Sequence, residues 1–100
     1  MTPEGKVKKD IKAYLTKLGA WFCMPATGGY GKSGVPDFIA CYKGRLIGIE
    51  AKAPTKLKNT TTMQKQQLLE ITEAGGLSFV IGDVSSLEVA LANYFGGTLA

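Results

Sequence analysis

The stretch DFIACYKGRLIGIEAK, Asp37 to Lys52, decides how the chain folds. Two apolar runs flank Lys43-Gly44, a pair suited to a two-residue hairpin turn. The reading is two strands, Asp37–Tyr42 and Leu46–Ala53. With Lys43-Gly44 at the turn, Tyr42 faces Arg45, Cys41 faces Leu46, Ile39 faces Gly48 and Asp37 faces Glu50. A bulge at the turn would shift this by one residue. Facing side chains on one side of a sheet have Cβ atoms about 4.5–5.5 Å apart. Period-two alternation also puts Lys52 on the side of Glu50. Two carboxylates therefore meet with a lysine beside them, on strands that are otherwise apolar. Like charges in that position repel, and burial adds to the penalty. A divalent cation would reverse the sign, and an ion-pair network with Lys52 would also relieve it.

The flanking sequence supplies the remaining elements. Thr2-Pro3-Glu4 reads as a helix start, with Val7, Ile11, Tyr14, Leu15 and Leu18 at helical spacing and Gly19 as the stop. Ala20–Pro25 reads as a short strand closed by proline. The glycine-rich ATGGYGKSGV can only be a loop. Thr61 or Thr62 caps a helix that runs to Ala74 before Gly75-Gly76, and Leu77–Gly82 reads as a buried strand. Asp83 or Ser85 caps a last helix through Tyr94, and GGTLA reads as a frayed tail. The expectation is one α/β domain over residues 1–100, a mixed β-sheet flanked by helices, in the order α-β-β-β-α-β-α.

Composition removes several kinds of chemistry. The 100 residues contain no histidine, so Ser-His and Cys-His nucleophiles and imidazole-ligated zinc are out. Cys23 and Cys41 are the only cysteines, each inside an apolar run, and are expected to be buried thiols. A metal would have to be held by oxygen, which favours magnesium or manganese. No apolar run approaches the roughly 20 residues of a membrane span. MTPEGKVKKD has no signal-peptide core, so a cytoplasmic location without membrane attachment is expected. The net charge of +4, with lysines at 6, 8, 9, 12 and 17 and again at 52, 56, 58 and 65, suits a polyanionic partner. A soluble, mildly basic surface accounts for it equally well.

The run GKSGVPDF, Gly31–Phe38, looks at first like a phosphate-binding loop. That motif needs a glycine where this chain has Ala26, and it needs a helix to follow rather than a strand. The aspartate is the informative residue. Glu4 adds a third acid: it precedes Val7, Ile11 and Leu15 on the apolar side of the first helix. A first-turn acid serving the helix dipole is the plainer reading. Gln64 precedes Leu68 and Ile71 in the same way.

The set Val35-Pro36-Asp37-Phe38, then Glu50-Ala51-Lys52, with Glu4 before and Thr62-Met63-Gln64 after, resembles the PD-(D/E)XK nuclease motif. Its order and spacing are similar to those of the virus-type replication-repair (VRR-NUC) nucleases, over most of the chain from Glu4 to about Gly82. The resemblance implies magnesium- or manganese-dependent cleavage of DNA by a stand-alone module, and small relatives imply a homodimer acting on branched DNA such as four-way junctions or flaps. It implies that Asp37 and Glu50 hold the metal, with the Ala51 carbonyl as a further ligand. Lys52 would orient the attacking water or stabilise the transition state, Glu4 would bind a second metal or its water, and Gln64 would position water or a phosphate oxygen. Tyr30, Lys32 and Ser33 in the glycine loop, with Lys56 and Lys58, would contact DNA. Two other readings stand beside it: a non-catalytic nucleic-acid binder, and an interaction domain in which Asp37, Glu50 and Lys52 are a plain ion-pair network.

Overall fold

The computed structural model describes residues 1–26 and 32–96. Helix α1, Pro3–Leu18, begins where extended Thr2 accepts a hydrogen bond from the Gly5 N–H at 2.9 Å. Pro3 fills the first position, whose N–H would be unpaired in any case. The helix stops at Gly19, in left-handed conformation, whose N–H returns to the last turn. Its buried residues are Val7, Ile11, Tyr14, Leu15 and Leu18, the five set at helical spacing in the sequence.

Three strands follow: β1, Trp21–Cys23; β2, Phe38–Tyr42; and β3, Arg45–Ala51. Lys43 and Gly44 both have positive φ, 48° and 79°, the requirement of the tight turn whose twist matches a hairpin. No bulge intervenes, and the ladder runs from Tyr42↔Arg45 to Phe38↔Ile49. Helix α2, Thr62–Glu73, then leads to β4, Leu77–Ile81, and helix α3, Val84–Phe95, closes the fold. The sheet order is β1-β2-β3-β4, antiparallel except for the parallel β3–β4 pair. A parallel return needs a crossover, and α2 supplies it.

The two sides of the sheet differ. On one side Phe38, Ala40, Ile47, Ile49, Ala51 and Ile81 pack against α1 and against Leu87 and Leu91 of α3. This is the core, and Phe38, Ile47, Ile49, Ile11, Leu15, Leu87 and Leu91 are fully buried in it. Truncating one of these to alanine costs about 2–5 kcal/mol by the usual transfer and cavity effects. On the other side α2 covers β3 and β4. Gly48 makes its close approach possible, because a Cβ there would lie 2.7 Å from Ile71 Cδ1.

Cys23 and Cys41 are exposed, not buried as their apolar neighbours imply. The register explains the difference. Trp21 pairs with Cys41 and Cys23 with Ile39, so both thiols point to the α2 side, near the β1 edge that α2 does not cover. Trp21 on that side is 64% exposed. Among the described residues no helix is long and apolar enough to cross a membrane. The tail residues 97–100 lie outside the described residues.

Candidate functional site

The acids meet at one end of the sheet, where β2 begins, β3 ends and α2 starts. Pro36 has no N–H to give a ladder, and β2 starts only at Phe38. Asp37 stands just before it, opposite Glu50 by continuation of the register. Its side chain takes over the pairing: Asp37 Oδ2 accepts from the Ala51 N–H at 2.8 Å. That bond fixes the carboxylate against the end of β3 and seats the Ala51 peptide beside it.

Glu50 is 3% exposed. Its Oε2 accepts from Gln64 Nε2 at 3.1 Å and lies 3.8 Å from Lys52 Nζ. Its Oε1 is buried with no hydrogen-bond partner. An ionised carboxylate with an unpaired buried oxygen is costly. The protein environment responds as that cost requires. Burial, and after it the close approach and like charge of the Asp37 carboxylate, push the Glu50 pKa from 4.5 up to about 8, against the opposing pull of Lys52.

Gln64 reaches this pair because of how α2 starts. Thr61 is the N-cap, its hydroxyl accepting from the Gln64 N–H at 3.1 Å, while Gln64 Oε1 accepts from the Thr61 N–H at 2.9 Å. This reciprocal capping box holds the amide in one orientation. The same Oε1 accepts from Lys52 Nζ at 3.1 Å. One side chain thus ties a helix start, a buried carboxylate and a lysine together. The preceding loop locks the helix start in place. Gly34 has φ +77°, and a Cβ on it would lie 2.5 Å from the backbone carbon of Met63.

Glu4 enters from α1, on the opposite side of the sheet. Lys8 connects it to the site: Nζ is 3.3 Å from Glu4 Oε2 and 3.7 Å from Asp37 Oδ1. Partial burial works against the Lys8 ammonium, but the Asp37 and Glu4 carboxylates outweigh it and hold its pKa above the ordinary lysine value. Among the described residues no three His, Cys, Asp or Glu side chains converge as a metal-holding group. The acids form a pair, Asp37 and Glu50, with Glu4 attached through an ammonium.

The unpaired Glu50 Oε1 beside Asp37 tests whether the residues suit a divalent ion, and the pair does. Two hard carboxylate oxygens and a neighbouring peptide carbonyl are ligands of the type magnesium and manganese take.

Of the residues expected to touch DNA, Lys32 pairs with Glu70 of α2 at 3.4 Å. Ser33, Lys56 and Lys58 are exposed. Tyr30 lies in residues 27–31, outside those described. Sequence reasoning missed Lys8 as a member of the site. The available signal was its position four residues after Glu4, but the surrounding lysines read as a basic surface. No protein-family model, curated protein or solved structure matches this chain.

Proposed function

We propose that the chain is a metal-dependent DNA endonuclease of PD-(D/E)XK type, hydrolysing phosphodiester bonds with Mg2+ or Mn2+. One observation carries the reading. Glu50 is buried against Asp37 with an oxygen unpaired, next to a lysine held by a glutamine. The mixed four-stranded sheet, with its hairpin and parallel return, supports the same reading, since it brings Pro36-Asp37 and Glu50-Ala51-Lys52 to one end.

Asp37, Glu50 and the Ala51 carbonyl are the groups that would hold the metal. When bound, such an ion lowers the pKa of a water and offsets charge on the phosphate oxygens. Lys52 brings a compact positive charge to the same place, suited to orienting a water or stabilising a pentavalent phosphate. Gln64 keeps that ammonium and Glu50 in fixed relation, so little reorganisation accompanies the reaction. Two helices begin near the acids, and their N-terminal ends favour an approaching phosphate.

The resemblance to stand-alone VRR-NUC modules extends the proposal to branched DNA and to a homodimer. Two copies about a two-fold axis would present two sites to a symmetric junction. The test is a panel of single strands, duplexes, flaps and four-way junctions, each with Mg2+, Mn2+ or EDTA. Cleavage should require metal and should be lost in Glu50→Gln and in Lys52→Ala. Cleavage that survives either change, or EDTA, sinks the assignment. Metal-independent, salt-sensitive DNA binding without cleavage would favour the binding-module reading instead.

A further inference from the structure

The acid cluster divides into two halves at Asp37. One half is Asp37 Oδ2, which takes the Ala51 N–H, together with Glu50 and its unpaired, buried Oε1. The other half is Asp37 Oδ1 with Glu4, and it already holds a cation. Lys8 Nζ lies 3.3 Å from Glu4 and 3.7 Å from Asp37. Residues four apart on a helix are neighbours, so the Glu4–Lys8 contact follows from α1 alone. The reach to Asp37 does not. It is a tertiary contact made around the end of the sheet, by a side chain only 34% exposed.

Charge counting points the same way. With all three acids ionised, as a bound cation requires, Glu4, Asp37 and Glu50 against Lys8 and Lys52 leave one formal negative charge. A single divalent ion turns that into one positive charge. A second would leave three while Lys8 stays, with no further carboxylate in the cluster to offset them, and would compete with the ammonium for Glu4. Like charges a few ångströms apart in a partly desolvated site repel strongly.

We propose that the Lys8 ammonium takes the place of a second divalent ion, so that the site binds one Mg2+ or Mn2+ at Asp37 and Glu50 and keeps Lys8 as its other positive charge, paired with Glu4 and Asp37. The inference rests on the metal reading above and adds the number of ions and the residue that sets it. Lys8 acts through Glu4 and Asp37 and is a positioning residue.

The experiment counts ions without DNA. Mn2+ bound to the intact chain is measured by electron paramagnetic resonance of the free ion, for wild type, Lys8→Met, Lys8→Gln, Lys8→Arg and Glu50→Gln. Thermal melting confirms that each is folded. The expected result is about one Mn2+ per chain for wild type and Lys8→Arg, and about two for Lys8→Met and Lys8→Gln. Two neutral replacements guard against one failing to fold. Two ions in the wild type overturn the inference and leave the nuclease reading standing. One ion in every Lys8 variant does the same. No bound ion in the wild type removes the metal reading and the inference with it. Loss of the ion in Glu50→Gln ties the count to this site.

Discussion

Gln64 Nε2 donates to Glu50 Oε2 at 3.1 Å, so the amide that closes the α2 capping box also holds the most buried acid of the chain. Two substitutions separate these jobs. Gln64→Ala removes both, and loss of capping hydrogen bonds costs about 0.5–2 kcal/mol. For a domain of this size each 1 kcal/mol lowers Tm by about 4–8 °C. Gln64→Glu keeps a box-forming side chain at the third helical position but sets a carboxylate against Glu50. Melting in EDTA should give a Gln64→Glu protein close to wild type at pH 5 and clearly weaker at pH 8. Added Mg2+ should restore part of the difference.

Asp37 is held by the Ala51 N–H, which an asparagine oxygen can also accept. Asp37→Asn should therefore fold, and should be as stable as wild type or more so at pH 8 in EDTA, because a like charge beside Glu50 has gone. On the nuclease reading proposed above, cleavage of DNA should fall by about 10²–10³ or more, the usual loss when a charge-stabilising group is removed. Asp37→Ala leaves the Ala51 N–H unpaired and should lose about 1–3 kcal/mol of stability as well. Denaturant melts paired with a cleavage assay distinguish the two variants.

The pH dependence of the metal-free chain follows from Glu50. Its pKa is raised from 4.5 to about 8 by burial and by Asp37. Asp37, Lys52, Gln64 and, more distantly, Glu4 and Lys8 are the polar groups around it. Between those two pH values the folded chain binds more protons than the unfolded one, so stability falls as pH rises. This contribution is complete below about 4.5 and gone once pH passes about 8. Chemical denaturation in EDTA across pH 5–9 should show that decline, and Glu50→Gln should flatten it. Mg2+ at about 100 times its Kd should return about 2.7 kcal/mol at the alkaline end. It should do less in acid, where the proton competes for the same oxygen.

Gly34 offers a test through the backbone beside the site. A side chain there meets both an unfavourable φ of +77° and the backbone of Met63 and Gln64. The left-handed conformation alone costs about 1–2 kcal/mol for a residue with a Cβ. Gly34→Ala should lower Tm, and should lower the cleavage rate further than that loss of stability explains, because the start of α2 shifts and carries Gln64 with it. Gly19→Ala, at a left-handed position with open space around it, should lower Tm without the added loss of activity.

The hairpin was legible because two independent signals agree there, the Lys43-Gly44 turn and the flanking apolar runs, and together they fix the facing pairs. The helix caps were legible for the same reason, since Thr2, Thr61 and Asp83 are chemically suited to their positions. Lys8 was not, because which of five early lysines turns inward depends on where α1 packs, a tertiary fact. The cysteines misled because an apolar strand near an edge looks like a central one until the neighbouring helix is placed. Glu4 stands one turn before buried Val7 on α1, with its side chain 44% exposed and paired to Lys8. Its separation from Glu50 by the thickness of the sheet has no trace in one-dimensional spacing.

The core lies on the α1–α3 side of one thin layer of strands, while Asp37, Glu50, Lys52 and Gln64 gather toward the α2 side. Changes to the α2 surface can therefore alter chemistry while the α1–α3 surface keeps the chain folded. On the nuclease reading proposed above, an inactive Asp37→Asn variant should keep its fold and serve as a stable platform on which a captured substrate can be visualised.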